Sequence, residues 1–169
     1  GIMGEAPKLT AAESVVVAER FLASVAGRVP VVVGVSSPGF AAMAELSARV
    51  MDGGAAGVMI APPSTARTDD QIVGYFANAA GCIGPSTPFA LQDYPLATTV
   101  QMTPAVIRRI VEANRSCVML KQEDWPGLGK ISTLREYQAA GTMRPLSILT
   151  GNGALFLKEE LGRGADGAM

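Results

Sequence analysis

Histidine is absent from all 169 residues. That absence excludes Ser-His-Asp catalysis and imidazole metal sites. Cysteine is scarce: Cys82 and Cys117 have neither zinc-site spacing nor the pattern of a disulfide framework. Aromatic residues make up 5% of the chain, and the formal net charge is only -1. Such near-neutrality leaves no electrostatic footprint for nucleic acid and no basic face for a membrane surface. No apolar run approaches the roughly 18 to 20 residues that cross a bilayer. The first residues do not read as a signal peptide. The expectation is a cytoplasmic soluble protein with no nucleic-acid or membrane partner. What the chain has in quantity is apolar residues, 49% of the total, enough for one domain with a substantial core.

Short apolar runs recur at 30–34, 57–61, 88–92, 117–121 and 146–150, with starts roughly 29 residues apart. Runs that are apolar throughout suit parallel strands buried on both faces. Between them lie helix-like stretches at about 10–26, 40–52, 69–80, 103–114, 131–140 and 154–161. The first opens on Thr10-Ala-Ala-Glu13, the pattern of a capping box. Glycines at 27, 53, 81, 141 and 162 stand where helix C-termini favour a left-handed residue. The repeat of strand, helix, strand is the βαβ unit of a parallel α/β fold. Both an open doubly wound sheet and a (β/α)8 TIM barrel share this rhythm. No G-x-G-x-x-G follows a strand, which weakens the nucleotide-binding version. A barrel typically needs about 250 residues. The expectation is therefore a single barrel domain over residues 1–169, present as an incomplete segment from about the end of strand two to the start of strand eight, truncated at both ends.

One run carries a chemical question. Four residues of strand-like sequence, Cys117-Val-Met-Leu120, lead straight into Lys121. An exposed lysine, with a pKa near about 10.4, is almost entirely ammonium at neutral pH. Burial disfavours the charged form and creates a nucleophilic amine. Cys117, Met119 and Lys121 are expected to share one face by strand alternation. If that face lines a barrel, the amine sits at the C-terminal mouth, where barrel active sites lie. The bland reading is a strand-end lysine stretching into solvent.

In order along the chain stand "GIMGE", "GRVPVVVGV", "GAAGVMIAPP", "QDYP", "VMLKQE" and "GADGAM". This order and spacing resemble the dihydrodipicolinate synthase/N-acetylneuraminate lyase family over essentially the whole chain. The resemblance implies a (β/α)8 barrel, commonly a homotetramer, whose strand-six lysine forms a Schiff base with pyruvate or a related 2-oxo acid. It implies no metal and no organic cofactor. By position Lys121 matches that lysine. An iminium there is an electron sink that permits C–C cleavage or formation, or loss of water, beside the former carbonyl.

Departures from the family pattern are equally specific. The loop Gly1-Ile2-Met3-Gly4-Glu5 carries Ile2 and Met3 where the family usually has two threonines, although its backbone N–H groups remain able to bind a carboxylate. Gln92 stands at the position of the family's catalytic tyrosine, with Tyr94 two residues later on the same alternating face. The arginine that reads a second carboxylate falls at Ala97, and a neighbouring subunit's tyrosine falls near Pro63 or Ser64. The lysine is kept while the hydroxyl relay is lost. Asp93, Glu123 and Asp124 are candidate carboxylates to move protons or balance an iminium, or else rim groups in water. Gly151-Asn152-Gly153 resembles the family's backbone wall beside the keto acid. Trp125, Ser36 and Ser37 are weaker candidates for the mouth, while Tyr75, Phe76 and the cysteines read as packing.

The leading expectation is a class I aldolase-type lyase with Lys121 as nucleophile, Gln92, Tyr94 and Glu123 as catalytic partners, and Ile2, Met3, Gly151 and Asn152 at the substrate. A Schiff-base dehydratase, hydratase or deaminase uses the same amine. A barrel that has lost catalysis and serves as a binding module stands as the alternative from another class.

Overall fold

The computed structural model describes residues 4–169. Ile2 and Met3 lie outside the described residues. Among the described residues, six strands form one parallel sheet: β1 Val32–Gly34, β2 Gly57–Ile60, β3 Phe89–Asp93, β4 Cys117–Gln122, β5 Ser147–Thr150 and β6 Gly167–Ala168. Their spatial order is their order along the chain. A doubly wound sheet reverses its order at a switch point. Six consecutive parallel neighbours instead follow the path of a (β/α)8 barrel wall.

The intervening helices are α1 Ala11–Val25, α2 Phe40–Asp52, α3 Asp69–Ile83, α4 Pro95–Thr98, α5 Pro104–Ala113, α6 Leu128–Ala139 and α7 Leu157–Gly162. Local chemistry starts several of them. Thr10 and Glu13 form the expected capping box of α1, Thr68 and Gln71 form another at α3, and Thr103 caps α5 ahead of Pro104. Gly81 does not end α3. The helix continues to Ile83 because Ile72, Phe76, Ala79, Ala80 and Ile83 form one buried stripe, and it stops at Gly84 with φ +99°. The short α4, begun by Pro95, had no periodicity to announce it.

Strand alternation divides the sheet into two faces. Val58, Ile60, Phe89, Leu91, Leu120 and Ile148 point to the helices and join one continuous core with Phe76, Ile107, Ile110, Ile131 and Leu134. Full burial of each such side chain contributes about 1.5–3 kcal/mol. On the other face, Met59, Ala90, Met119 and Ser147 lie in one register layer, and Gln92, Lys121 and Leu149 lie in a layer nearer the C-terminal strand ends.

Cys117 does not share the face of Met119 and Lys121. The β3–β4 register shifts between Phe89 and Ala90, which pair with Cys117 and Met119. The extra residue, Val118, is an irregularity of the bulge type that resets the alternation. Cys117 therefore packs with Leu120 in the helix-facing core. Burial pushes its thiol up to about 12, so it is an inert small core residue. Cys82 is also free, and Tyr75 and Phe76 pack inside α3 against Phe40 and Phe89 as expected.

Candidate active site

The two faces meet the end of β4 with different chemistry. On the face away from the helices, Lys121 Nζ lies 3.1 Å from Glu123 Oε1, with side chains only 14% and 7% exposed. Gln92 Nε2 donates to Glu123 Oε2 at 2.7 Å. Gln92 and Lys121 are direct register partners on β3 and β4. The strand pleat thus delivers an amine, a carboxylate and an amide to one buried point. In such surroundings a charge-assisted contact is stronger than its counterpart in water.

Glu123 is fixed from every side. Its amide N–H donates to the Asp93 carbonyl at 2.8 Å, and its own carbonyl accepts from Asn152 Nδ2 at 3.0 Å. Its carboxylate lies against Gly151, where an added Cβ would stand 2.5 Å from Oε1 and 2.7 Å from Cδ. Only glycine leaves room for that approach. Gly151 N–H in turn donates to the Gln122 carbonyl at 3.0 Å. Gly151 thus packs directly on the carboxylate, while Asn152 holds Glu123 through its main-chain carbonyl.

Other expected members make local contacts of their own. Tyr94 stands at the start of α4 with φ -130° and ψ 74°. The chain has left the strand there, so alternation no longer aims it with Gln92. Among the described residues its half-buried hydroxyl makes no hydrogen bond to Lys121, Gln92 or Glu123. Ser36 Oγ accepts from Ala61 N–H at 2.9 Å, tying two loops together, and Ser37 Oγ takes a long bond from Gly39 N–H. Trp125 is 52% exposed and packs against Phe156, with ring centroids 5.9 Å apart.

Asp93 and Asp124 do not join Lys121. Asp93 has the parity of Phe89 and Leu91, so its side chain lies on the helix-facing side and is fully buried. There Lys130 Nζ reaches Asp93 Oδ2 at 2.6 Å and Asp124 Oδ2 at 2.9 Å. Burial pushes the Asp93 carboxyl up to about 6 against the downward pull of Lys130, with Asp124 and Glu123 raising it further. Sequence reasoning passed over Lys130. A signal existed: it stands in the first turn of α6, where a cation opposes the helix dipole and calls for an acidic partner.

No group of three or more His, Cys, Asp or Glu side chains among the described residues is arranged to hold a metal ion. No described helix is long and apolar enough to cross a membrane. Consecutive parallel β/α units, with the part-buried Lys121 at the C-terminal end of β4, define a segment of a (β/α)8 barrel. The chain belongs to the dihydrodipicolinate synthetase family, whose profile matches residues 1–169. It is 31% identical over 157 residues to a 4-hydroxy-tetrahydrodipicolinate synthase of Sorangium cellulosum (strain So ce56), a match covering 93% of this chain and 50% of that protein. Among solved structures, a dihydrodipicolinate synthase from Rhodopseudomonas palustris superposes with a TM-score of 0.96 at 62% identity, covering 100% of this chain and 56% of that one. The 4-hydroxy-tetrahydrodipicolinate synthase from the methanotroph Methylacidiphilum fumariolicum SolV gives 0.87 at 26% identity, covering 100% of this chain and 54% of that one. The chain thus spans about half the length of the relatives it matches.

Proposed function

We propose that the full-length protein is a lyase that forms a Schiff base between Lys121 and pyruvate or another 2-oxo acid. The observation that carries this reading is the buried Lys121–Glu123 pair, 3.1 Å apart, with Gln92 on the second carboxylate oxygen. An ammonium cannot attack a carbonyl. Lys121 must first give up a proton, and Glu123 is the group in contact to receive it. The neutral amine then adds to the keto carbon, and loss of the carbonyl oxygen as water leaves an iminium. Its positive charge forms at the place the ammonium occupied, so the same carboxylate balances it without moving. Glu123 is then also placed to take or return a proton at the carbon beside the iminium. Gln92 holds Oε2 by a hydrogen bond and leaves Oε1 for the nitrogen.

This division of labour replaces a hydroxyl relay with a carboxylate relay. It fits the absence of hydroxyls at Ile2, Met3 and Gln92. A charged second substrate loses its reader at Ala97, so the acceptor is read as less charged or differently shaped than aspartate semialdehyde. Aldol cleavage or condensation is the leading reaction, and carbon–oxygen elimination from the same iminium is its neighbour. On the family resemblance the complete protein is read as a cytoplasmic homotetramer, which light scattering of the full-length protein tests. Borohydride reduction in the presence of pyruvate, with mass spectrometry of the peptide bearing Lys121, tests the chemistry.

A further inference from the structure

Two ionic clusters flank the same stretch of backbone. On one face lie Lys121, Glu123 and Gln92; on the other lie Asp93, Lys130 and Asp124. Each residue of the first cluster's partner pair, Gln92 and Glu123, is followed in sequence by a carboxylate of the second. The Glu123 N–H to Asp93 carbonyl bond joins the two sides. We infer that Lys130 is a positioning residue, which clamps Asp93 to Asp124 through the sheet end and so holds Glu123 at Lys121; the inference rests on the proposed role of Lys121 for its consequence in catalysis, but not for its geometry.

The physical case is one of constraint. Lys130 is 9% exposed and bridges two carboxylates from different strands' ends, one of them with no exposure at all. Taking a buried cation from such a site leaves two like charges facing one another. The backbone between Glu123 and Asp124 is then the part free to yield. Further bonds run through the same turn: Gln122 Nε2 and Gly127 N–H both donate to the Asp124 carbonyl, and Trp125 N–H donates to Asp124 Oδ1. Lys130 therefore closes a loop whose first residue is the catalytic carboxylate. Reaction geometry tolerates little error, since about 1 Å of misplacement can cost a hundredfold in rate.

The readout is the contact between Lys121 and Glu123 itself. A water-soluble carbodiimide joins a carboxylate to an amine, with loss of one water, only where the two touch. After digestion of the full-length protein, the peptide joined between Lys121 and Glu123 is uncleaved at Lys121 and lighter by one water, and mass spectrometry measures its yield. Asp93→Asn with Lys130→Met removes the clamp without changing net charge. We expect the yield to fall about threefold to tenfold in that variant, within what about 1 Å of misplacement costs a reacting pair. Lys130→Arg alone keeps the unmutated yield, and Glu123→Gln abolishes the product and so identifies it. An unchanged yield in the folded paired variant, or an equal fall in Lys130→Arg, overturns the inference. If the paired variant does not fold, Asp124→Asn carries the same comparison: a fall supports the clamp, and an unchanged yield refutes it. Absence of a borohydride adduct in the unmutated protein refutes the Schiff-base reading alone, because the cross-linking comparison stands without it.

Discussion

Gly151 and the Glu123 carboxylate are packed so closely that a Cβ on Gly151 would stand 2.5 Å from Oε1. Nothing at this contact is spare: the oxygen that meets Gly151 is the one 3.1 Å from Lys121 Nζ. Gly151→Ala must therefore turn the carboxylate away from the amine or shift the β5 end. The expected outcome is a loss of about tenfold or more in the rate of adduct formation with pyruvate, with far-ultraviolet circular dichroism unchanged. Stopped reduction at timed intervals checks it.

Asp93 supplies a pH dependence with a definite sign. Its folded-state value is raised to about 6 from an ordinary value near 3.8. The folded state therefore binds this proton more tightly than the unfolded chain. The stability it contributes is fully present below about pH 4 and is lost as the pH rises through 6, by up to about 3 kcal/mol. Replacing Asp93 with Asn flattens this component. Urea unfolding at pH 4, 5, 6 and 7 checks it by the slope, which the accompanying change in absolute stability does not affect.

Arg144 holds the opposite end of the barrel wall. Its guanidinium donates to the Val111 carbonyl at 3.0 and 3.1 Å, to the Asn114 carbonyl at 2.8 Å, and to the Cys117 carbonyl. The end of α5 has no basic residue of its own in the last turn, so Arg144 supplies the missing cation and donors. Arg144→Met leaves these carbonyls without that partner. A loss of about 2–4 kcal/mol in unfolding free energy is expected, with trapping by pyruvate unchanged in the folded fraction.

On the proposed function, substrate choice follows from the side chains that stand at the family's relay and carboxylate-reading positions. Condensation of pyruvate with aspartate semialdehyde calls for proton shuttling and a reader for a second carboxylate. Ile2, Met3, Gln92 and Ala97 supply neither a hydroxyl nor a guanidinium. Each lost acid–base contribution is typically about 10²–10⁴-fold. Negligible turnover of aspartate semialdehyde is expected in a coupled assay on the full-length protein; robust turnover would show that Glu123 and Gln92 replace the relay completely.

The barrel wall was legible because its signals are local and repeated. Buried parallel strands read as unbroken apolar runs, and capping boxes such as Thr10–Glu13 mark helix starts with side-chain chemistry. Lys121 was legible for the same reason, as the one charge closing an apolar run. What the sequence hid was the side of the sheet on which each neighbour lies. Asp93, Glu123 and Asp124 look alike in a string of letters. Alternation puts Glu123 beside Lys121, while Asp93 goes to the helix-facing side with Lys130. The bulge at Val118 broke that same alternation for Cys117. Alternation says nothing of Tyr94, because β3 ends at Asp93 and Pro95 starts a helix.

The proposed function makes Lys121 a nucleophile and not a solvated cation. Its most direct test is reduction of the full-length protein with borohydride and pyruvate, followed by mass spectrometry of the Lys121 peptide in parallel with Lys121→Arg. The guanidinium keeps the charge and cannot supply a neutral amine at working pH. A reduced pyruvyl adduct is expected on Lys121 in the unmutated protein and none in a folded Lys121→Arg protein. An undiminished adduct in Lys121→Arg, or no adduct in either, would contradict it.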